Sequence, residues 1–185
     1  GDELSRLFDH VEKKTVLVAG GAGSIGAAIV KELLRSKAGK VVCLDNSEFS
    51  VYGFSAELSD TSLDYQNRFE ARIGCYSDLN LLKNILSSGV DIAINAAAYK
   101  HVPICEKNIG STLVNNVLKA QIFFKTCAEN GVSKILQIST DKAVRPTNIM
   151  GASKRCCELL MQSYQHQFKG VCSFSSVRFG NVLGS

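Results

Sequence analysis

The chain has 185 residues, 45% of them hydrophobic and 21% charged, which suits one domain with a full core and excludes a disordered tail, a collagen-like chain and a coiled coil. The net charge of +4 carries no Lys/Arg runs, so there is no electrostatic case for nucleic acid, and no apolar run approaches the roughly 20 residues of a membrane span. The start, GDELSRLFDHVE, shows no signal-peptide pattern, and the seven cysteines, without CxxC or zinc-type spacing, read as thiols of a reducing cytosol with no metal expected.

Hydrophobic periodicity predicts a strand over 15–19, a glycine-rich turn, and a helix over 24–36. A strand over 40–44 and a helix over 49–58 follow, then a strand over 68–73 and a helix over 79–87. The second half repeats the pattern: strand 92–95, helix 111–130, strand 134–139, helix 151–167 and strand 171–177. Short apolar strands alternating with helices argue βαβ units and an α/β fold with a parallel sheet covered on both faces. Right-handed crossovers make it doubly wound. The two prolines, Pro103 and Pro146, are placed in loops beyond the fourth and fifth strands. The loop-like ending GNVLGS reads as the edge of a longer protein, so residues 1–185 are expected to be one dinucleotide-binding domain cut before a substrate domain.

The first strand runs into Gly20-Gly21-Ala22-Gly23-Ser24-Ile25-Gly26, with glycines at 20, 23 and 26. Gly20 allows a tight turn, Gly23 lets backbone approach a pyrophosphate, and Gly26 lets helix and strand pack closely. The free N–H groups of Ser24 and Ile25 at the helix start would meet the phosphates. An ordinary βα turn is the alternative, but strand and helix flank the motif as a dinucleotide fingerprint requires. The second strand leads to Asp45, 19 residues after Gly26, where an acid meets ribose hydroxyls; a helix N-cap is its plainer role. No Arg follows in Asn46-Ser47-Glu48, so a 2′-phosphate would meet negative charge, which favours NAD over NADP. The sheet is then a Rossmann-type one with strand order 3-2-1-4-5-6.

GGAGSIG, AAAYKHVPICEKN, VNNVLKA, ISTDKAVRPTNIMGASKR and VRFGNVLGS together resemble the extended short-chain dehydrogenase/reductases. More narrowly, they resemble the polysaccharide-biosynthesis UDP-N-acetylglucosamine 4,6-dehydratases of the CapD type, from Thr15 to Ser185. The resemblance implies an NAD-dependent 4,6-dehydratase of a UDP-N-acetylhexosamine, most simply UDP-N-acetylglucosamine, working through a 4-keto intermediate. A 4-epimerase and an inactive NAD-binding module are the alternatives. It further implies a cytoplasmic protein or the cytoplasmic part of a membrane-anchored parent, and a homo-oligomer at full length.

The family pattern also implies residue roles. Ala96, Ala97 and Ala98 would let the nucleotide lie close, with Asn46 beside Asp45 at its far end. Lys100 and His101, or a solvated loop, would follow at the mouth of the site, and Asn116 would prop the fourth strand. Arg178, Asn181 and Ser185 would begin the nucleotide-sugar pocket. Thr140 takes the place of the catalytic hydroxyl and Lys154 that of the lysine. Met150 stands where most members carry the tyrosine base, as in a subgroup that also carries a phrase like Ser47-Glu48-Phe49. Asp141 would be the general acid at C6 and Lys142 the base at C5. A neutral Lys142 would need burial or a cationic neighbour such as Lys154.

Overall fold

A computed structural model describes residues 6–179. Six parallel strands form one sheet in the order β3-β2-β1-β4-β5-β6. They are β1 (Thr15–Ala19), β2 (Lys40–Asp45), β3 (Phe69–Ile73), β4 (Ile92–Asn95), β5 (Lys134–Thr140) and β6 (Ser173–Phe179). Along β1, Val16 and Val18 pack into one hydrophobic cluster and Leu17 and Ala19 into the other. A strand buried on both faces has to be apolar throughout, and that is the signal by which β1, β2 and β4 are legible.

Besides a helical turn at residues 6–8, the described residues form α1 (Ser24–Arg35), α2 (Glu48–Thr61), α3 (Leu63–Arg68), α4 (Leu79–Leu86), α5 (Val102–Lys107), α6 (Ile109–Leu113), α7 (Lys119–Glu129) and α8 (Ile149–Gln167). In α1, Ile29, Val30, Leu33 and Leu34 form the buried stripe. Asn148 caps α8, its Oδ1 accepting from Gly151 N at 2.8 Å. No described helix is long and apolar enough to cross a membrane.

The helix expected over 49–58 runs over Glu48–Thr61 and the one expected over 151–167 starts at Ile149, and other expectations shift further. Residue 68 ends α3 instead of starting a strand, because the Arg68 guanidinium turns back to the Leu34 and Ala38 carbonyls and to Asp64. The sixth strand runs over Ser173–Phe179, two residues later than periodicity indicates. Pro103 lies in the first turn of α5, where its missing N–H costs nothing, while Pro146 is in a loop. The helix expected over 111–130 starts at Ile109 and is broken by a π-helical turn, Val114–Leu118. The turn brings Asn115 and Asn116, neighbours in sequence, into the buried interior together.

Candidate active site

The turn between β1 and α1 is built by close approach. Gly20 has φ +71°, and a Cβ there would stand 2.6 Å from Ala97 N. A Cβ on Gly26 would collide with the Gly20 carbonyl oxygen. The N-cap of α1 is Gly23, which has no side chain to offer, so the N–H groups of Ser24, Ile25 and Gly26 and the positive end of the helix dipole are left for a ligand anion. Asp45, at the end of β2, accepts from Ala22 N at 3.2 Å and from Ser47 N at 3.1 Å, which aims its carboxylate between the glycine turn and the start of α2. Asp45 and Asn46 line a hollow of about 170 Å³ together with Gly20, Ala96, Ala97 and Ala98.

The hollow shares Gly23, Ala96, Ala98 and Tyr99 with the lining of a larger cleft of about 540 Å³. Its wall beyond β4 carries Lys100 and His101. Lys100 Nζ donates to Ser24 Oγ at 2.9 Å, which sets the ammonium over the start of α1. This wall is fixed from behind by Asn116. Its Oδ1 accepts from Tyr99 N (2.8 Å) and Asn115 Nδ2 (3.1 Å), and its Nδ2 donates to the Tyr99 carbonyl and Ser153 Oγ (3.0 Å each). Every hydrogen-bonding position of that buried amide is used. Asn116 thus holds Tyr99, four residues beyond the strand β4 that it is expected to prop.

The opposite wall comes from β5 and α8. Thr140 ends β5, and its Oγ1 accepts from Lys142 N at 3.4 Å, capping a short 3₁₀ turn, Asp141–Ala143. The Thr140 hydroxyl donates to Asp141 Oδ1 at 3.0 Å, and Lys142 Nζ lies 3.5 Å from the same oxygen. Thr140, Lys142, Met150 and Lys154 line the cleft with Gly23, Ser24, Ile25 and Gly26. Asp141 sits at the rim, exposed. The Thr140 hydrogen bond and then the Lys142 charge hold its carboxyl below the usual range. An acid role therefore needs a ligand to take over the Thr140 hydroxyl and release that carboxylate.

Lys154 is buried and donates to the Ile138 carbonyl at 2.9 Å; desolvation brings its ammonium down to about 8. Lys142 is the reverse case. Its side chain is 38% exposed and paired with Asp141, so the burial expected to neutralise it is not supplied by the described residues. Met150 is buried at the start of α8, a core side chain that also forms part of the cleft lining.

Arg178 is not brought to this cleft. Neighbouring positions of β6 face opposite sides, so Phe179 reaches the cleft while Arg178 lines a separate surface hollow against α8. Its Nε and Nη2 donate to the two Glu158 oxygens at 2.8 and 2.7 Å, a tie of strand to helix. Asn181 and Ser185 lie outside the described residues. Sequence reasoning missed Ile104, Cys105, Ile138, Ser139 and Phe179 in the cleft, and Gly74, Cys75, Tyr76 and Lys119 in the hollow. Gly74–Tyr76 follow the carboxyl end of β3, so the rule that ligands bind at strand ends could have found them. Lys119 carries no such signal.

The family model for polysaccharide biosynthesis proteins matches residues 16–185. The capsular polysaccharide biosynthesis protein CapD of Staphylococcus aureus is 37% identical over 186 residues, covering 99% of this chain and 30% of its own length. An inverting UDP-N-acetylglucosamine 4,6-dehydratase of Campylobacter jejuni is 34% identical over 174 residues, 93% of this chain and 50% of its own; UDP-glucose 4-epimerases of Rickettsia match over a similar span. The structure of DesIV, a dTDP-glucose 4,6-dehydratase from Streptomyces venezuelae solved with NAD and TYD bound, superposes with a TM-score of 0.74 at 25% identity over 83% of this chain and 52% of that one. The chain thus spans half or less of the curated relatives it is compared with here. With a match over nearly every residue, and the glycine turn, Thr140 and Lys154 on one cleft, the chain belongs to the polysaccharide biosynthesis protein family.

Proposed function

We propose that the chain carries the cofactor site and catalytic groups of an NAD-dependent nucleotide-sugar 4,6-dehydratase whose substrate is a UDP-N-acetylhexosamine, with UDP-N-acetylglucosamine the first to test. The observation that carries this reading is the placement of Thr140, Lys142 and Lys154 on the cleft that the glycine turn opens into, with Asp141 bonded to Thr140 at its rim. The residues fit the cofactor. Gly20 and Gly26 leave space that a Cβ would fill, the start of α1 has N–H groups for a pyrophosphate, and Asp45 accepts from ribose hydroxyls at the hollow. Lys100, poised over Ser24, reaches the phosphates or the sugar nucleotide, and His101 lies next to it on the same wall.

When bound, NAD supplies acceptance of a hydride from C4 and its return at C6, so the overall reaction loses water and consumes no oxidant. The chain's own groups do the proton work. Thr140 orients the C4 hydroxyl. The Met150 thioether has no exchangeable proton, so the C4 hydroxyl proton must pass to Thr140, Lys154 or solvent. Once bound substrate covers the Asp141–Lys142 pair, the Lys142 ammonium proton passes to the Asp141 carboxylate; the neutral amine then removes the C5 proton, and Asp141 delivers its proton to the departing C6 oxygen. A 4-epimerase needs no acid–base pair beside Thr140, and Asp141–Lys142 stands against it. Met150 favours a second reading, an NAD-binding module without turnover. Product analysis of the full-length protein with UDP-N-acetylglucosamine separates the three: a 4-keto-6-deoxy sugar supports dehydration, a 4-epimer overturns it in favour of epimerisation, and unchanged substrate favours the module.

A further inference from the structure

We propose that Glu106, outside the cleft, is a positioning residue that sets the catalytic turn through the backbone of α8; this inference rests on the dehydratase reading. Glu106 Oε1 accepts from Ile149 N at 2.6 Å, across 43 residues of sequence. The bond joins the two walls of the cleft. Helix α5, which carries Glu106, also presents Ile104 and Cys105 to the cleft, and Ile149 begins the helix that presents Met150 and Lys154.

The Asn148 cap accepts from Gly151 N. Helix starts leave several N–H groups unpaired, and a single cap oxygen does not serve them all. Glu106 takes the Ile149 N–H and places a carboxylate on the positive end of a 19-residue helix.

That first turn is coupled to the catalytic turn by contact. A Cβ on Gly151 would stand 2.5 Å from the Lys142 carbonyl oxygen, so the backbone of α8 rests against the backbone of Lys142. A displacement of Ile149–Gly151 is therefore passed to Lys142 and Asp141. The same two walls are joined from inside by Asn116, through Ser153 Oγ and Tyr99. Glu106 is the outer of the two ties and, being at the surface, the one that can be removed without opening the core.

The chain has only two methionines, Met150 in the cleft and Met161 three turns along the same helix in the core, so methyl-labelled methionine NMR reports both places separately. Glu106→Ala should move and broaden the Met150 methyl signal and leave Met161 in place. Glu106→Gln, which retains an acceptor oxygen, should keep Met150 near its wild-type position. In turnover of UDP-N-acetylglucosamine by the full-length protein, Glu106→Ala should lower kcat about tenfold or more with KM within about threefold, since small misplacements of catalytic groups are costly. The Gln variant should restore the rate. An unmoved Met150 signal in the Ala variant overturns the proposal, and so does a moved signal with unchanged kcat. If the Ala variant unfolds, which a shifted Met161 would reveal, the Gln variant decides: a Met150 signal held at its wild-type position supports the tie and a displaced one overturns it. A wild-type protein inactive on this substrate defeats the dehydratase reading instead, and the methyl signals then decide the tie alone.

Discussion

Asp45 holds two backbone N–H groups, on Ala22 and Ser47, so its carboxylate is fixed before any ligand arrives. Ribose hydroxyls can donate to it, whereas a 2′-phosphate would face it at close range. NAD should therefore bind at least tenfold more tightly than NADP, a difference of about 1.4 kcal/mol, and Asp45→Ala should narrow the gap while weakening NAD binding, because the turn loses its brace. Equal affinities in a titration of the wild-type chain would remove this assignment. At the other end of the cleft, under the proposed dehydratase reading, Lys142→Met in the full-length protein should cut release of the 4-keto-6-deoxy product about 10²–10⁴-fold. Oxidation at C4, read as reduced-nicotinamide absorbance in a single turnover, should persist in part. Lys154→Met should suppress that absorbance and yet stabilise the fold. Desolvation lowers the Lys154 ammonium to about 8 from its ordinary 10.5, so below pH 8 the folded state carries a charge it is penalised for. The Ile138 carbonyl it serves keeps a second donor, Gln137 Nε2 at 2.7 Å. The variant's melting temperature should exceed the wild type's at pH 7 by a few degrees, and the gain should shrink as pH rises from about 8 toward 10.5, where the folded lysine is already neutral. A constant gain across that window would mean that the charge is not what the interior resists.

At the scale of elements, the β1–turn–α1 unit is the most exacting, because two backbones meet there with no room between them. Gly26→Ala places a methyl group against the Gly20 carbonyl oxygen, and neither backbone can yield without moving α1 or the turn. Its expected effect is loss of most NAD affinity with a melting temperature lowered by several degrees, measured by titration and thermal unfolding; unchanged binding would show that the turn has slack. Such a unit is legible in sequence, since glycine spacing, an apolar strand and an amphipathic helix each have a distinct pattern. The fully buried strands are legible for the same reason, whereas Thr140, Met150 and Lys154, which line one cleft, are singled out only by the family resemblance. Elements held by polar contacts are not. Helix α3 buries no residue and exists through the Ser62 cap and the reach of Arg68, and α5 has only Cys105 inside, so neither leaves a hydrophobic period. The π-turn is invisible for another reason: the bonds of the buried Asn116 to Tyr99 and Ser153 that accompany it are tertiary. Arg178 lies away from the cleft because the face of an edge strand is set by register with β5, where Ser139 pairs with Arg178 and Thr140 with Phe179.

Over the described residues, the sheet ends at β6, and what fastens that strand to α8 besides apolar packing is the Phe174 N–H bond to Gln165 Oε1 at 2.7 Å and one buried carboxylate. Glu158 accepts from Arg178 twice, from Ser139 Oγ at 2.8 Å and from Arg155 at 2.9 Å. Three elements thus converge on it: β5 just before Thr140, β6, and α8 one turn beyond Lys154. Burial alone would raise its carboxyl, but the hydrogen bonds from Arg178, Ser139 and Arg155 outweigh that and hold it at about 2. A carboxyl lowered on folding contributes stability that is fully present above its ordinary value of 4.5 and is lost as pH falls toward 2. Glu158→Gln keeps the shape but not the charge, and it leaves two guanidiniums with a weaker acceptor, so it should cost about 1–3 kcal/mol at pH 7. Unfolding by urea at a series of pH values should show wild type and variant separated by that amount at pH 7, converging between about 4.5 and 2. Because Ser139 precedes Thr140, the same variant should also loosen the strand end that carries the Asp141–Ala143 turn, seen as faster amide exchange at Ser139–Lys142 than in α1. Curves that stay parallel down to pH 2 would show that the carboxylate's charge contributes nothing to holding β6 on the sheet.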